Sequence, residues 1–388
     1  MTIAIESIVP QGIPAALVQQ ESAQTRAHKL HITTGDGVDL AVRDYQPRGH
    51  ASHTVVLLHG FCLSQSTWNM QICALRRHSP CLRIITLDYR GHGRSASAPI
   101  HTYTIEQLAN DIGHVLTTLD VTGAITLVGH SMGGMAALSY VAMSVAPIPV
   151  GLVLIATAAG RLTERGIGRL LATPVINPLT HVVDHIPHRA VDRTVRTLIG
   201  PACHTLSRLA GFGGTERAAL ASAAADAVHR TPLATAVGFL PALRNYDRYS
   251  DLHAITAHTV VVSGGNDVVT PALHAADLVD GIPDAIHLHH DTGGHMLLHD
   301  APQLVTDAIL TGMATTKKAT AIPPGLAVSK PAAPAELATT TPDRRLVGCI
   351  APLPAQHRQG RAYRGELRRV HDYKMSAVSP DRCGGRNE

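Results

Sequence analysis

Ser131 is the residue of this chain best placed to attack a carbonyl. It sits in Val128-Gly129-His130-Ser131-Met132-Gly133-Gly134, between an apolar run (124–128) and a helical stretch (135–145). A strand that turns straight into a helix at a serine holds that serine in strained backbone angles, with its hydroxyl standing at the strand tip. Small residues two positions either side keep such a turn from clashing, which accounts for Gly129 and Gly133. The turn also sets Ser131 at a helix N-terminus, where unpaired N–H groups favour developing negative charge. In a chain with 33 glycines an ordinary strand-to-helix turn can look the same, so the partners decide. A serine hydroxyl needs a base, and the base needs an orienting group. The β-branched run 259–263 leads into Gly264-Gly265-Asn266-Asp267-Val268-Val269-Thr270-Pro271, a loop with one carboxylate. The run 285–289 leads into Asp291-Thr292-Gly293-Gly294-His295-Met296. His295 is the candidate base and Asp267 its orienting acid.

Other side chains compete for these roles. Asp291 stands before a Gly-Gly turn and is expected to cap it. Asp300 precedes Ala-Pro and is expected to begin the last helix. His130, next to Ser131 in this strand-to-helix elbow, reads as a packed histidine. His287, His289 and His290 invite a metal reading, but in a strand the first two share one face and the third points away. No carboxylate spacing completes a site, so no metal is expected.

These groups need elements to hold them. The run 53–58 reads as a strand ending in His59-Gly60-Phe61. The run 82–87 reads as another, ending in Asp88-Tyr89-Arg90-Gly91-His92-Gly93-Arg94-Ser95, a structural turn with no chemical role expected for Asp88 or His92. Residues 30–42 suggest a hairpin turning at 34–37. Thr104-Ile105-Glu106-Gln107 has capping-box form and opens a helix with Leu108, Ile112, Val115, Leu116 and Leu119 on one face. Strands and helices alternate to Ala156, as a mostly parallel, doubly wound α/β sheet requires. Residues 161–250 break that rhythm: helix-like and strand-poor, they read as a helical cap inserted after the sixth strand. The expected organisation is an N-terminal extension (1–27), a core (28–160 and 251–313), the cap (161–250) and a tail (314–388).

With His-Gly-Phe, Asp-x-Arg-Gly-His-Gly-x-Ser, Gly-His-Ser-Met-Gly-Gly, Gly-x-x-Asp and Gly-Gly-His-Met in this order, the chain resembles the α/β-hydrolase superfamily. Within it, the chain looks most like the serine esterase, lipase and cofactor-free haloperoxidase-type members. The resemblance spans about residues 28–313 and implies the α/β-hydrolase fold, with nucleophile, acid and base in the order Ser131, Asp267, His295. It also implies that the backbone N–H groups of Phe61 and Met132 form the oxyanion hole. Some relatives carry the acid after the sixth strand, but here no carboxylate follows 150–156 until Glu164. Epoxide hydrolases and haloalkane dehalogenases of similar layout use Asp as nucleophile, and Ser131 argues against both. The implied reaction is hydrolysis of a carboxylic ester through an acyl-enzyme, with no cofactor and no metal. Lactone or thioester hydrolysis, peracid formation and carbon–carbon bond hydrolysis use the same three residues. A ligand receptor of this fold is the alternative from outside enzymes.

Composition sets the remaining limits. An apolar fraction of 45% in 388 residues allows an ample core, built mostly from aliphatic residues because only three Phe and one Trp are present. The first twenty residues lack a basic start and hold Glu6 and two prolines, which is not the pattern of a signal peptide. No apolar run reaches membrane-spanning length. The six cysteines show no metal-ligand spacing and are expected to be free thiols in a cytoplasmic protein. Cys62 is expected to be a packing residue, although a modifiable thiol there could inhibit. The apolar cap points to an uncharged ester as substrate. The tail carries 13 Lys and Arg against 6 Asp and Glu, while the rest carries 20 against 23, so the basic charge belongs to the tail. Its composition predicts a disordered appendage, with contact to nucleic acid or anionic lipid as the sharper alternative.

Overall fold

Successive side chains along each strand point to opposite faces of the sheet, and this decides how the chain layers. The computed structural model describes residues 27–47, 49–172 and 231–314. The expected N-terminal extension up to residue 26, the middle of the expected cap (173–230) and the tail from residue 315, with the nucleic-acid or anionic-lipid contact weighed for it, lie outside the described residues. The described residues all fall within one compact unit.

Eight strands form one sheet: β1 (His28–Thr33), β2 (Asp39–Tyr45), β3 (His53–Leu58), β4 (Leu82–Leu87), β5 (Ile125–His130), β6 (Gly151–Ile155), β7 (His258–Gly264) and β8 (Ile286–His290). Their order is β1-β2-β4-β3-β5-β6-β7-β8, antiparallel at the β1–β2 and β2–β4 edges and parallel throughout the rest. Seven α-helices are described: α1 (Asn69–His78), α2 (Ile105–Thr118), α3 (Met132–Ala142), α4 (Leu233–Asn245), α5 (Ala272–Gly281), α6 (Leu297–Asp300) and α7 (Pro302–Met313). Val56, Leu58, Ile125, Leu127, Leu152 and Leu154 pack into one buried layer with α2 and α3. Val55, Leu57, Val153, Ile155, Val260 and Val262 pack into the opposite layer with α1 and α7. Both sheet faces are therefore covered, which is why the central strands read as continuous apolar runs rather than alternating ones.

Because β3, β5, β7 and β8 run parallel, their carboxyl ends lie along one sheet edge, where ligands of open α/β sheets bind. The expected capping box is half made: Thr104 Oγ1 accepts the Gln107 N–H at 3.0 Å, but the Gln107 amide donates to Asp111 at 3.2 Å instead of turning back. α3 starts at Met132, three residues before the apolar pattern suggests, because Gly133 and Gly134 carry no side chains to reveal it. After β6 the chain enters two short 3-10 turns (Leu162–Glu164 and Gly166–Ala172) and returns through α4. No helix among the described residues is long and apolar enough to cross a membrane.

Candidate active site

Ser131 occupies φ 53°, ψ −119°, a conformation that a non-glycine residue adopts only under constraint. The constraint comes from both sides. Its N–H donates to the Ile155 carbonyl at 2.9 Å, and its own carbonyl accepts the Thr157 hydroxyl at 2.7 Å. The flanking glycines are required by contact. A Cβ at Gly129 would lie 2.4 Å from the Gly133 carbonyl oxygen, and one at Gly133 would lie 2.3 Å from that of Leu58.

The loop after β7 and the loop after β8 bring their side chains to this serine. His295 Nε2 stands 3.0 Å from Ser131 Oγ, and His295 Nδ1 stands 2.9 Å from Asp267 Oδ2. The three side chains thus form one hydrogen-bonded line across loops that are 164 and 28 residues apart in sequence. Asp267 is fully enclosed, and burial alone would raise its carboxyl. The His295 ring and the Thr270 N–H and hydroxyl outweigh that burial and hold the group below the ordinary carboxylate range. An ionised carboxylate only accepts hydrogen bonds, so it fixes the proton on Nδ1 and leaves Nε2 as the acceptor facing Ser131. The other Asp267 oxygen accepts the N–H groups of Val269 and Thr270 at 2.8 and 2.9 Å, and Oδ2 also accepts the Thr270 hydroxyl at 2.8 Å.

The loop after β3 lies against Ser131: a Cβ at Gly60 would come within 3.2 Å of Ser131 Cβ. The N–H groups of Phe61 in that loop and of Met132 at the start of α3 have no acceptor among the described residues. Phe61 meets His92 and Phe239 edge-on, at ring separations of 6.3 and 6.4 Å, so α4 lays an aromatic side chain beside this loop.

Two residues, Asp291 and Asp300, differ from their sequence reading. Asp291 does not cap its turn; its side chain is 89% exposed and stands 3.9 Å from His289, not on His295. Asp300 does not begin the last helix. It ends α6, and its carboxylate accepts the Gly294 N–H at 2.9 Å, steadying the loop that carries His295. Asp88 and His92 brace the site's neighbourhood: Asp88 accepts the N–H groups of Gln65 and Arg94, and His92 Nε2 accepts the Cys62 N–H at 3.2 Å. Burial pushes the Cys62 thiol up to about 12, which keeps it protonated and fits a packing residue. His287 and His289 both meet the Ser263 hydroxyl at 2.8 Å, as two residues on one strand face would. Among the described residues no group of three or more His, Cys, Asp or Glu could hold a metal ion.

Two supporting contacts escaped the sequence. His130 is buried, its Nε2–H donates to the His295 carbonyl at 2.9 Å, and burial followed by the nearby His295 depresses it to about 3. Nothing in the sequence marks that long-range bond. Thr270 had a partial local signal: a loop Asp readily accepts backbone N–H groups two or three residues on, although nothing in the spacing marks the hydroxyl contact.

Comparison with known proteins bears on the family and the fold. Over 112 residues the chain is 35% identical to a bifunctional esterase/perhydrolase of Acinetobacter calcoaceticus, covering 29% of this chain and 38% of that protein. It is 32% identical over 114 residues to protein phosphatase methylesterase 1 of Mus musculus, covering 29% of each. The chain thus spans well under half the length of these two curated relatives. An esterase from Exiguobacterium antarcticum superposes with a TM-score of 0.55 at 23% identity, over 74% of this chain and 99% of that one, a likeness of fold. The family model described as the alpha/beta hydrolase family matches residues 55–308. With that match spanning the strands and loops just described, the chain belongs to the alpha/beta hydrolase family.

Proposed function

We propose that the chain hydrolyses a carboxylic ester through a covalent acyl-enzyme on Ser131. The observation that carries this reading is the unbroken hydrogen-bonded line Asp267–His295–Ser131 at a strained strand-to-helix turn. His295 Nε2 takes the Ser131 proton as Oγ attacks the ester carbonyl, and Asp267 holds the ring and stabilises its charged form. The oxyanion forms between the N–H groups of Phe61 and Met132, both without another acceptor among the described residues. His295 then gives its proton to the leaving alcohol. In the second half it activates a water that releases the acid. Phe61 and Phe239 beside the site support an uncharged ester.

The test is a panel of p-nitrophenyl esters of graded acyl length, run beside lactones and thioesters. Turnover of short or medium esters above the other classes supports the proposal. Tight binding of esters without turnover would instead identify a receptor. The bifunctional esterase/perhydrolase among the relatives favours one second reading, in which hydrogen peroxide replaces water in the second half and the product is a peracid. Peracid release from an ester plus peroxide tests it directly.

A further inference from the structure

The loop that carries Asp267 is gripped from outside by the first turn of the segment inserted after β6. We propose that Arg165, Gly166 and Ile167 of this turn are positioning residues for Asp267, an inference that rests on the reading of Ser131, His295 and Asp267 given above.

One peptide group makes the connection. The Ile167 N–H donates to the Val268 carbonyl at 2.8 Å. The N–H on the other end of that same peptide, carried by Val269, donates to Asp267 Oδ1 at 2.8 Å. A tilt of this peptide plane therefore moves the donor that steers the carboxylate. Gly166 lets the turn come this close: it takes φ +55°, and a Cβ on it would lie 2.2 Å from the Val268 oxygen. The turn is clamped in place. Arg165 pairs with Asp277 of α5 at 2.8 Å, and Asp277 also accepts the Tyr249 hydroxyl at 2.5 Å. Tyr249 lies on the returning leg of the insertion, and the Arg161 guanidinium sits 4.7 Å over its ring. The outgoing and returning legs thus converge on the helix that leaves the acid loop. Whatever shifts the insertion at its base also shifts the peptide that aims Asp267.

The consequence is readable in a pH profile. A carboxylate beside the base favours its protonated form, so drawing Asp267 away lets the base stay neutral to lower pH. The titratable and charged groups around this pair are His130 from β5, His274 from α5 with the charges of Arg165 and Asp277 beside it, and the Asp300 carboxylate that holds the Gly294 N–H. Burial holds His130 at about 3 and His274 at about 4, so neither ring contributes to a limb near neutral pH.

The experiment compares wild type with Gly166→Ala, Arg165→Ala and Arg165→Lys on one p-nitrophenyl ester. In Gly166→Ala the acid-limb midpoint of kcat/KM should fall by about 1 pH unit, with kcat down about tenfold and KM within about threefold. Arg165→Ala should move the midpoint the same way by less, and Arg165→Lys should restore it. If Gly166→Ala does not fold, the Arg165 pair decides alone. Variants that lose activity only in proportion to folded protein, with the midpoint unmoved, overturn the inference. Ser131→Ala separates the two claims: if it is inactive while the midpoints stay fixed, only the brace is wrong, and if it stays active, both are.

Discussion

Asp267→Asn replaces one atom and should nearly abolish turnover without unfolding the protein. The Asn carbonyl can take the place of Oδ1, where it keeps the Val269 and Thr270 N–H groups at 2.8 and 2.9 Å. That choice turns the new NH2 group toward His295 Nδ1, now 2.9 Å from Oδ2. Two donors cannot face each other, so Nδ1 must give up its proton and the ring takes the Nε2–H tautomer. Nε2 then meets Ser131 Oγ as a donor at 3.0 Å and cannot accept the serine proton. A wrong tautomer at this position of a serine triad lowers kcat by about 10⁴, or about 5.5 kcal/mol of transition-state stabilisation. Steady-state hydrolysis of a p-nitrophenyl ester, with circular dichroism as the fold control, reads the effect. Asp291→Asn is the matched control and should change kcat by less than about twofold, since that side chain is 89% exposed and away from His295. A folded Asp267→Asn with more than a tenth of wild-type kcat, or a larger loss in Asp291→Asn, refutes the assignment of the acid.

Three further outcomes follow from packing and charge. Gly133→Ala drives a methyl group to 2.3 Å from the Leu58 carbonyl oxygen, so the urea midpoint should report a loss of about 3 kcal/mol or insoluble protein; wild-type stability contradicts this contact. Arg90 is fully buried and pairs with Asp111 at 2.7 Å, so Arg90→Ala should cost about 3–5 kcal/mol by leaving a buried carboxylate unpaired, whereas Arg90→Met with Asp111→Leu should cost much less. Burial first of all holds His92, His130 and His274 at about 3, 3 and 4 in the folded protein. The unfolded chain binds those protons near pH 6.5, so unfolding becomes easier as pH falls from about 6.5, by roughly 2 kcal/mol per ring at about pH 5. A urea midpoint that stays flat from about pH 7.5 down to about pH 5 rules this out.

Much of this molecule can be read from its residues because the central strands are short, β-branched and buried on both faces. Runs such as 53–58 and 82–87 have few other uses in a folded chain. The elbow is also local: Gly129, Ser131 and Gly133 mark a turn whose steric demands fall within five residues. Sequence order places Asp267 and His295 on successive strand ends, and the structure brings both to Ser131. What the sequence hides is contact between distant segments. The His130 bond to the His295 carbonyl, the Asp300 bond to Gly294 and the burial of Arg90 between Asp36 and Asp111 join residues whose spacing has no period. The insertion of β4 between β2 and β3 is equally silent, since strand order depends on crossovers rather than on any strand's own residues.

The central claim is that Ser131 carries the acyl group. Rapid quenching of the reaction with p-nitrophenyl acetate, followed by peptide mass spectrometry, tests it most directly. One acetyl group should appear on the peptide containing Ser131 within the first turnover, decay as acetate is released, and be absent from Ser131→Ala. Turnover with no acylated peptide, or with the acetyl group on another residue, contradicts the account.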